Sequence, residues 1–188
     1  MDDELVCFVK VPRNRIAVII GHKGETKALI ESETHSKLKV SPEEGMVRAK
    51  ANDALDLYVV QEIIKAIARG FNPSKALNLL KSDYALQVIE LKEFAKDQHF
   101  PRIKGRVIGH GGKARENIEQ LTDTYISVFG KTISVIGRTE NVDACARALV
   151  NLIEGSPHSS IYKWLEKKRN ELKAQEILTK EELQDDFK

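Results

Sequence analysis

Cysteine occurs only twice in the 188 residues, as Cys7 and Cys145, each inside an apolar pattern with no second Cys or His at ligand spacing. Both read as small core residues. The five histidines form no H-E-x-x-H or Cys/His cluster, so no metal or cofactor is expected. No apolar run approaches the roughly 20 residues of a membrane span, and Met1-Asp2-Asp3-Glu4 lacks the basic start of a signal peptide. A reducing, cytoplasmic setting without membrane contact is the expectation. Net charge is also scarce: 30 basic against 28 acidic residues leave +2. This excludes a global polycation of the histone or arginine-rich-arm type, and any polyanion site must be local.

Local charge is present. Lys10 to Lys27 holds five basic residues and one acidic, and Lys96 to Arg115 holds six and one. Each stretch contains a short glycine loop, Gly21-His22-Lys23-Gly24 and Gly109-His110-Gly111-Gly112, set between an apolar helical turn and a longer amphipathic segment. Glycine at both ends of such a loop permits positive φ and close backbone approach. The helix that follows offers unpaired N–H groups and the positive end of its dipole, which together suit a phosphate.

The surroundings of the loops repeat. Leu5 to Val11 reads as a strand stopped by Pro12, Arg13 to Ile20 as a helix, and Gly24 to about His35 as a second helix. Leu38, Val40 and Met46 to Ala49 flank the turn signal Ser41 to Gly45 and suggest a hairpin. A long helix follows, capped by Asn52 or Asp53, with Ala54, Leu55, Tyr58, Val59, Ile63, Ile64 and Ile67 as its apolar face and Gly70 at its end. A shift of 88 residues brings Ile20 onto Ile108, His22 onto His110, Ile30 onto Ile118, Leu38 onto Ile126 and Val40 onto Val128. Beyond the hairpin the offset is 86, which shortens the second hairpin loop, Phe129 to Thr132, while keeping both cores in register. Ala85 to Leu91 opens the second copy. Asn72-Pro73-Ser74 caps a short helix between the copies, and Ser156-Pro157-His158 starts a last helix with Ile161, Tyr162, Trp164 and Leu165 for packing. The final dozen residues are acidic and expected to fray. The predicted boundaries are 1–80, 81–155 and 156–188, in an α+β protein.

Catalytic motifs are missing. Gly112-Lys113 is followed by Ala114 rather than Ser or Thr, and Val107 stands where a Walker loop needs glycine. Neither loop is G-x-G-x-x-G. Ser156 beside His158 is the only local nucleophile candidate, and the adjacent Glu43 and Glu44 suit a solvated turn, so nothing argues for an enzyme.

Val18-Ile19-Ile20-Gly21-His22-Lys23-Gly24 and Arg106-Val107-Ile108-Gly109-His110-Gly111-Gly112 resemble the core motif of KH domains, over about residues 4 to 70 and 84 to 155. The resemblance implies two type I units, each a three-stranded antiparallel sheet on three helices, plus a C-terminal helix. It implies that each loop clamps about four nucleotides of single-stranded RNA. Ile20 and Ile108, with Leu38, Val40, Ile126 and Val128, would floor the groove or serve the core. Arg13, Arg15 and Lys27 around the first loop, and Arg106, Lys113 and Arg115 around the second, would reach phosphates. Arg69-Gly70-Phe71-Asn72-Pro73-Ser74 and Gly155-Ser156-Pro157-His158 are similar to the two-KH small-subunit ribosome assembly factors of the Dim-two or partner-of-Nob type, in an archaeal version. That narrower resemblance implies binding of pre-rRNA or small-subunit rRNA near its 3′ end, together with the maturing endonuclease and an initiation-factor subunit. Ser156 and His158 would touch RNA or simply cap a helix. Two other readings stay open: a protein-binding adaptor with structural glycine loops, and a general binder of single-stranded nucleic acid.

Overall fold

The computed structural model describes residues 5–185, with side chains as far as residue 174. The acidic Asp2 to Glu4 cluster lies outside the described residues. The first half runs β1 (Leu5–Lys10), α1 (Arg13–Ile20), α2 (Glu25–Glu33), β2 (Lys37–Ser41), β3 (Met46–Ala51) and α3 (Ala54–Ala68). After the short α4 (Pro73–Ala76) the order repeats as β4 (Tyr84–Glu90), α5 (Phe100–Ile108), α6 (Lys113–Thr122), β5 (Thr124–Phe129), β6 (Thr132–Arg138) and α7 (Thr139–Glu154). A last helix, α8, spans His158–Asp185. The strands form two antiparallel three-stranded sheets in the orders β1-β3-β2 and β4-β6-β5, so the last strand of each half lies in the middle.

Local chemistry accounts for these boundaries. Pro12 follows β1 and precedes α1, where its missing donor is harmless. Asp53 caps α3 by accepting from the Leu55 and Asp56 amides, and Asn72 accepts from Ser74 N–H ahead of Pro73. The buried face of α3 runs through Val60, Ile63, Ile64 and Ile67, with Leu57 half-buried beside it. Ile63, Ile64 and Ile67 are buried as expected, whereas Leu55 and Tyr58 near the start of the helix are 69% and 60% exposed. The acidic C-terminal stretch, expected to fray, is instead helical as far as Asp185. Upstream, Ile161 and Leu165 of α8 are buried and Tyr162 and Trp164 half-buried against the second core.

Each sheet turns one face to its own helices. Ile16, Ile19, Ile30, Leu38, Val47 and Ile63 fill the first core, and Ile103, Val107, Ile118, Ile126, Ile133 and Leu149 the second. The opposite faces differ. In β3 buried Val47, Ala49 and Ala51 alternate with half-buried Met46, Arg48 and Lys50, as for a sheet open on one side. In β6 every residue from Thr132 to Gly137 is buried. The outer face of the second sheet lies against the end of α3 and the linker that follows it: Ile136 joins the first core with Phe71 and Leu79, and Tyr84, Leu86 and Tyr125 pack on it. Ser127 Oγ donates to the Arg69 carbonyl at 2.9 Å, and Lys75 Nζ stands 3.8 Å from the centre of the Tyr125 ring. Gly70 makes this approach possible. Its φ is +102°, and a Cβ there would fall 2.6 Å from Ser127 Oγ.

On the open sheet, the register sets Phe8 beside Arg48 beside Lys39, and Val6 beside Lys50 beside Lys37. Lys10, Met46 and Ser41 make the next row.

Candidate nucleic-acid interface

The two glycine loops have one backbone. Gly21 and Gly109 both have φ 73° with ψ near 180°, Lys23 and Gly111 have φ 49° and 59°, and Gly24 and Gly112 have φ 86° and 82°. The first glycine is required sterically. A Cβ at Gly21 would lie 2.3 Å from Thr26 Oγ1, and one at Gly109 would lie 2.5 Å from the Ala114 Cβ. The last glycine of each loop occupies the N-cap of α2 or α6 in left-handed geometry, with no side-chain cap. Both helices therefore present amide-rich N-termini next to exposed loops, an arrangement suited to a phosphate. His22, Lys23, His110, Gly111 and Lys113 are exposed there.

Below each loop lies a joint that repeats at the 88-residue offset. Glu31 Oε1 accepts from Leu38 N–H on the edge strand β2 at 2.6 Å, and Glu119 Oε1 accepts from Ile126 N–H on the edge strand β5 at 2.6 Å. Lys27 Nζ stands 3.8 Å from Glu31, and Arg115 Nε 3.6 Å from Glu119. Thr34 Oγ1 donates to the Ile30 carbonyl and meets Ser36 Oγ, both at 2.7 Å. Thr122 Oγ1 donates to the Ile118 carbonyl at 2.7 Å and meets Thr124 Oγ1 at 2.8 Å. Between these hydroxyls, His35 and Asp123 share a positive φ of 45° and 48°. Carboxylate and hydroxyls fix the loop-bearing helix against the strand across the groove, and they satisfy an edge amide that would otherwise need water. Cys145 packs beside this joint; burial pushes its thiol up to about 11, partly offset by the Thr124 and Thr122 hydroxyls.

The other expected residues divide. Ile20, Ile108, Val40 and Val128 are half-buried beside the loops and edge strands, whereas Leu38 and Ile126 are buried in the cores. Lys27 and Arg115 flank the loops but are ion-paired, as above. Arg13 opens α1, eight positions and about 12 Å along the helix from the loop, and its Nη2 donates to the Glu43 carbonyl at 3.0 Å.

Arg15 and Arg106 depart from the expected role. Arg15 Nε donates to the Ile67 carbonyl at 2.8 Å and Nη2 donates to that of Phe71. Arg106 Nε donates to the Leu152 carbonyl at 3.1 Å and Nη2 to that of Ser156 at 2.7 Å. Each guanidinium thus ties the end of the long helix of its half to the first helix, adding side-chain donors to carbonyls at and just beyond that helix's C-terminus. Burial lowers the pKa of Arg15 from its ordinary value. Ser156 and His158 belong to the same knot. His158 Nε2–H donates to the Arg106 carbonyl at 2.8 Å, so its ring faces α5.

The glycine loops were legible in the sequence; the Glu31 and Glu119 joints were missed, although the 88-residue shift already aligns them.

Residues 85–170 match a family model described as the eukaryotic type KH domain, KH-domain type I. The chain is 39% identical over 176 residues to the KH domain-containing protein MJ0443 of Methanocaldococcus jannaschii, covering 91% of this chain and 77% of that protein. It is 33% identical over 129 residues to RNA-binding protein pno1 of Drosophila pseudoobscura pseudoobscura, covering 67% of this chain and 51% of that relative, so it spans about half of the fly protein. Its backbone is similar to a chain in the crystal structure of an a/eIF2alpha-aDim2p-rRNA complex from Pyrococcus horikoshii OT3, with a TM-score of 0.85 and 36% identity over 90% of this chain and 96% of that one. Among the described residues, no helix is long and apolar enough to cross a membrane.

Proposed function

This chain belongs to the PNO1-type KH-domain family, and from that premise we propose that it binds single-stranded rRNA of the small ribosomal subunit, near the 3′ end, as an assembly factor. In this reading residues 1–80 and 81–155 are two type I KH units and 156–188 a C-terminal helix braced on the second. Gly21 to Gly24 and Gly109 to Gly112 clamp the RNA backbone. Lys23, Lys113 and the loop amides meet phosphates, Ile20 and Ile108 meet bases, and Lys27 and Arg115 exchange their carboxylate partners for phosphate when RNA arrives. Arg15, Arg106, Ser156 and His158 act as structural ties that hold the clamps in shape. Catalysis is no part of the role, which is exercised in the cytoplasm. The partners are the rRNA, the endonuclease that matures it, and an initiation-factor subunit of the kind bound to the Pyrococcus protein.

The observation that carries this reading is the shared loop geometry, two left-handed turns delivering uncapped helix ends beside exposed cations. Its test is RNA binding by wild type and by two double variants, His22→Asp with Lys23→Asp and His110→Asp with Gly111→Asp, at several salt concentrations. Aspartate tolerates left-handed backbone, so both variants keep their fold. With about four phosphates neutralised, log affinity falls against log salt with a slope of roughly −3, and each variant weakens binding at least tenfold. Undiminished binding by both folded variants would reduce the loops to scaffold and favour a protein adaptor.

A further inference from the structure

The outer face of the first sheet has no role in the clamps. Lys10, Lys37, Lys39, Arg48 and Lys50 project from it, and the three strands that build it contain no Asp or Glu. The register sets Arg48 directly opposite Lys39 and Lys50 directly opposite Lys37, and like charges paired across strands destabilise a sheet. Among the cations stands Phe8, 63% exposed although it lies mid-strand, with the Arg48 guanidinium 5.8 Å from its ring centre. Arg48 Nε is buried and has no hydrogen-bond partner among the described residues. The corresponding face of the second sheet is covered by the first half.

We propose that this face is a second RNA surface, on which a single-stranded segment lies with a base on Phe8 and its phosphates on Lys37, Lys39 and Arg48. The chemistry is that of a stacking platform in a positive field, which accepts any base and gains affinity from charge. The RNA has a short route to it. The edge strand β2 borders the first groove with its half-buried Val40 and carries Lys37 and Lys39 on the outer side. A strand leaving the groove over that edge meets the two lysines first, then Arg48, then Phe8 on the far strand. The proposal rests on the chain working on RNA, but it does not require the loops to be the dominant contact.

The test compares RNAs of about eight nucleotides, enough for the two loops, with RNAs about three times as long. Two variants are used: Lys37→Glu with Lys39→Glu, and Phe8→Ala. The glutamates relieve repulsion against Arg48, so the thermal midpoint holds or rises. Long RNA is expected to bind wild type more tightly than short RNA. The double glutamate variant should lose that gain by at least tenfold and flatten the salt slope by about one to two phosphate contacts. Phe8→Ala should lose about tenfold on long RNA alone. Unchanged binding of long RNA would overturn the proposal, and so would equal losses on both lengths; an acidic protein captured by the face with RNA affinity intact counts against it as well. Loop variants that weaken short RNA while face variants change nothing would sink this proposal alone. Loop variants without effect beside impaired face variants would sink the loop reading and keep this one.

Discussion

The two halves use the same joint under the glycine loop and treat the outer faces of their sheets in opposite ways. Glu31 and Glu119 hold Leu38 and Ile126 at the same 2.6 Å, whereas β3 alternates buried and half-buried residues and β6 is buried throughout. The joint is local, set by residues seven apart on one helix and the adjoining edge strand, so duplication carries it over intact. The outer face is settled by what stands against it. In the second half Ser127, Tyr125 and Ile136 meet Arg69, Lys75 and the first core, and in the first half the equivalent face carries exposed Phe8, Lys37 and Lys39 instead. The same fold thus supplies one sheet as an internal wall and one as a surface.

Substitution at Gly70 should break that contrast most severely. In Gly70→Val the side chain meets Ser127 and Phe129 at a φ of +102°, so strain and overpacking should cost about 3 kcal/mol or more. Calorimetry should then resolve two transitions where wild type shows one. A single transition at the wild-type midpoint would mean that the halves are stable independently of their contact.

The shared joint predicts an intermediate and equal effect. Glu31→Gln and Glu119→Gln each weaken a charge-assisted hydrogen bond to a strand amide and remove an i,i+4 ion pair. Each should cost about 1–2 kcal/mol, read from urea unfolding. A loss confined to one half would show that the repeat is geometric without being energetic.

The smallest effect lies in the loops. Lys23 holds the left-handed conformation that Gly111 holds in the second loop. Lys23→Gly should therefore stabilise the first half by up to about 1 kcal/mol while reducing the salt slope of RNA binding by about one phosphate contact. Gly111→Lys should do the reverse. Thermal midpoints and salt titrations of the two variants check both signs.

Much of this could be read from the chain before any coordinates. The loops, the element order and the 88-residue shift follow from apolar periodicity and from glycines at fixed spacing, which are local signals. The same shift pairs Glu31 with Glu119, Thr34 with Thr122 and His35 with Asp123, so the joints were visible as letters, but nothing local says that a glutamate reaches a strand seven residues on. Arg15 and Arg106 were hidden for another reason. Relative to the loops they sit one helical turn apart, so alignment does not pair them, and only the folded helix ends reveal their common task. The covered sheet left a compositional trace: Thr132 to Gly137 contains no charged residue, whereas Met46 to Ala51 contains Arg48 and Lys50.

The one-sided dependence at Gly70 also bears on the order in which the chain matures. Synthesis runs from the amino terminus, and domains generally fold as units while it proceeds. Most of the first core comes from the first half, with Ile136 the one buried residue that the second half adds to it among the described residues. The end of α3 and the linker are complete before β4 to β6 have all emerged. They form a ready template on which the later strands settle, hiding Tyr125 and Ile136 as soon as the central strand β6 is in place. The early half thus offers the late one a template within a single polypeptide.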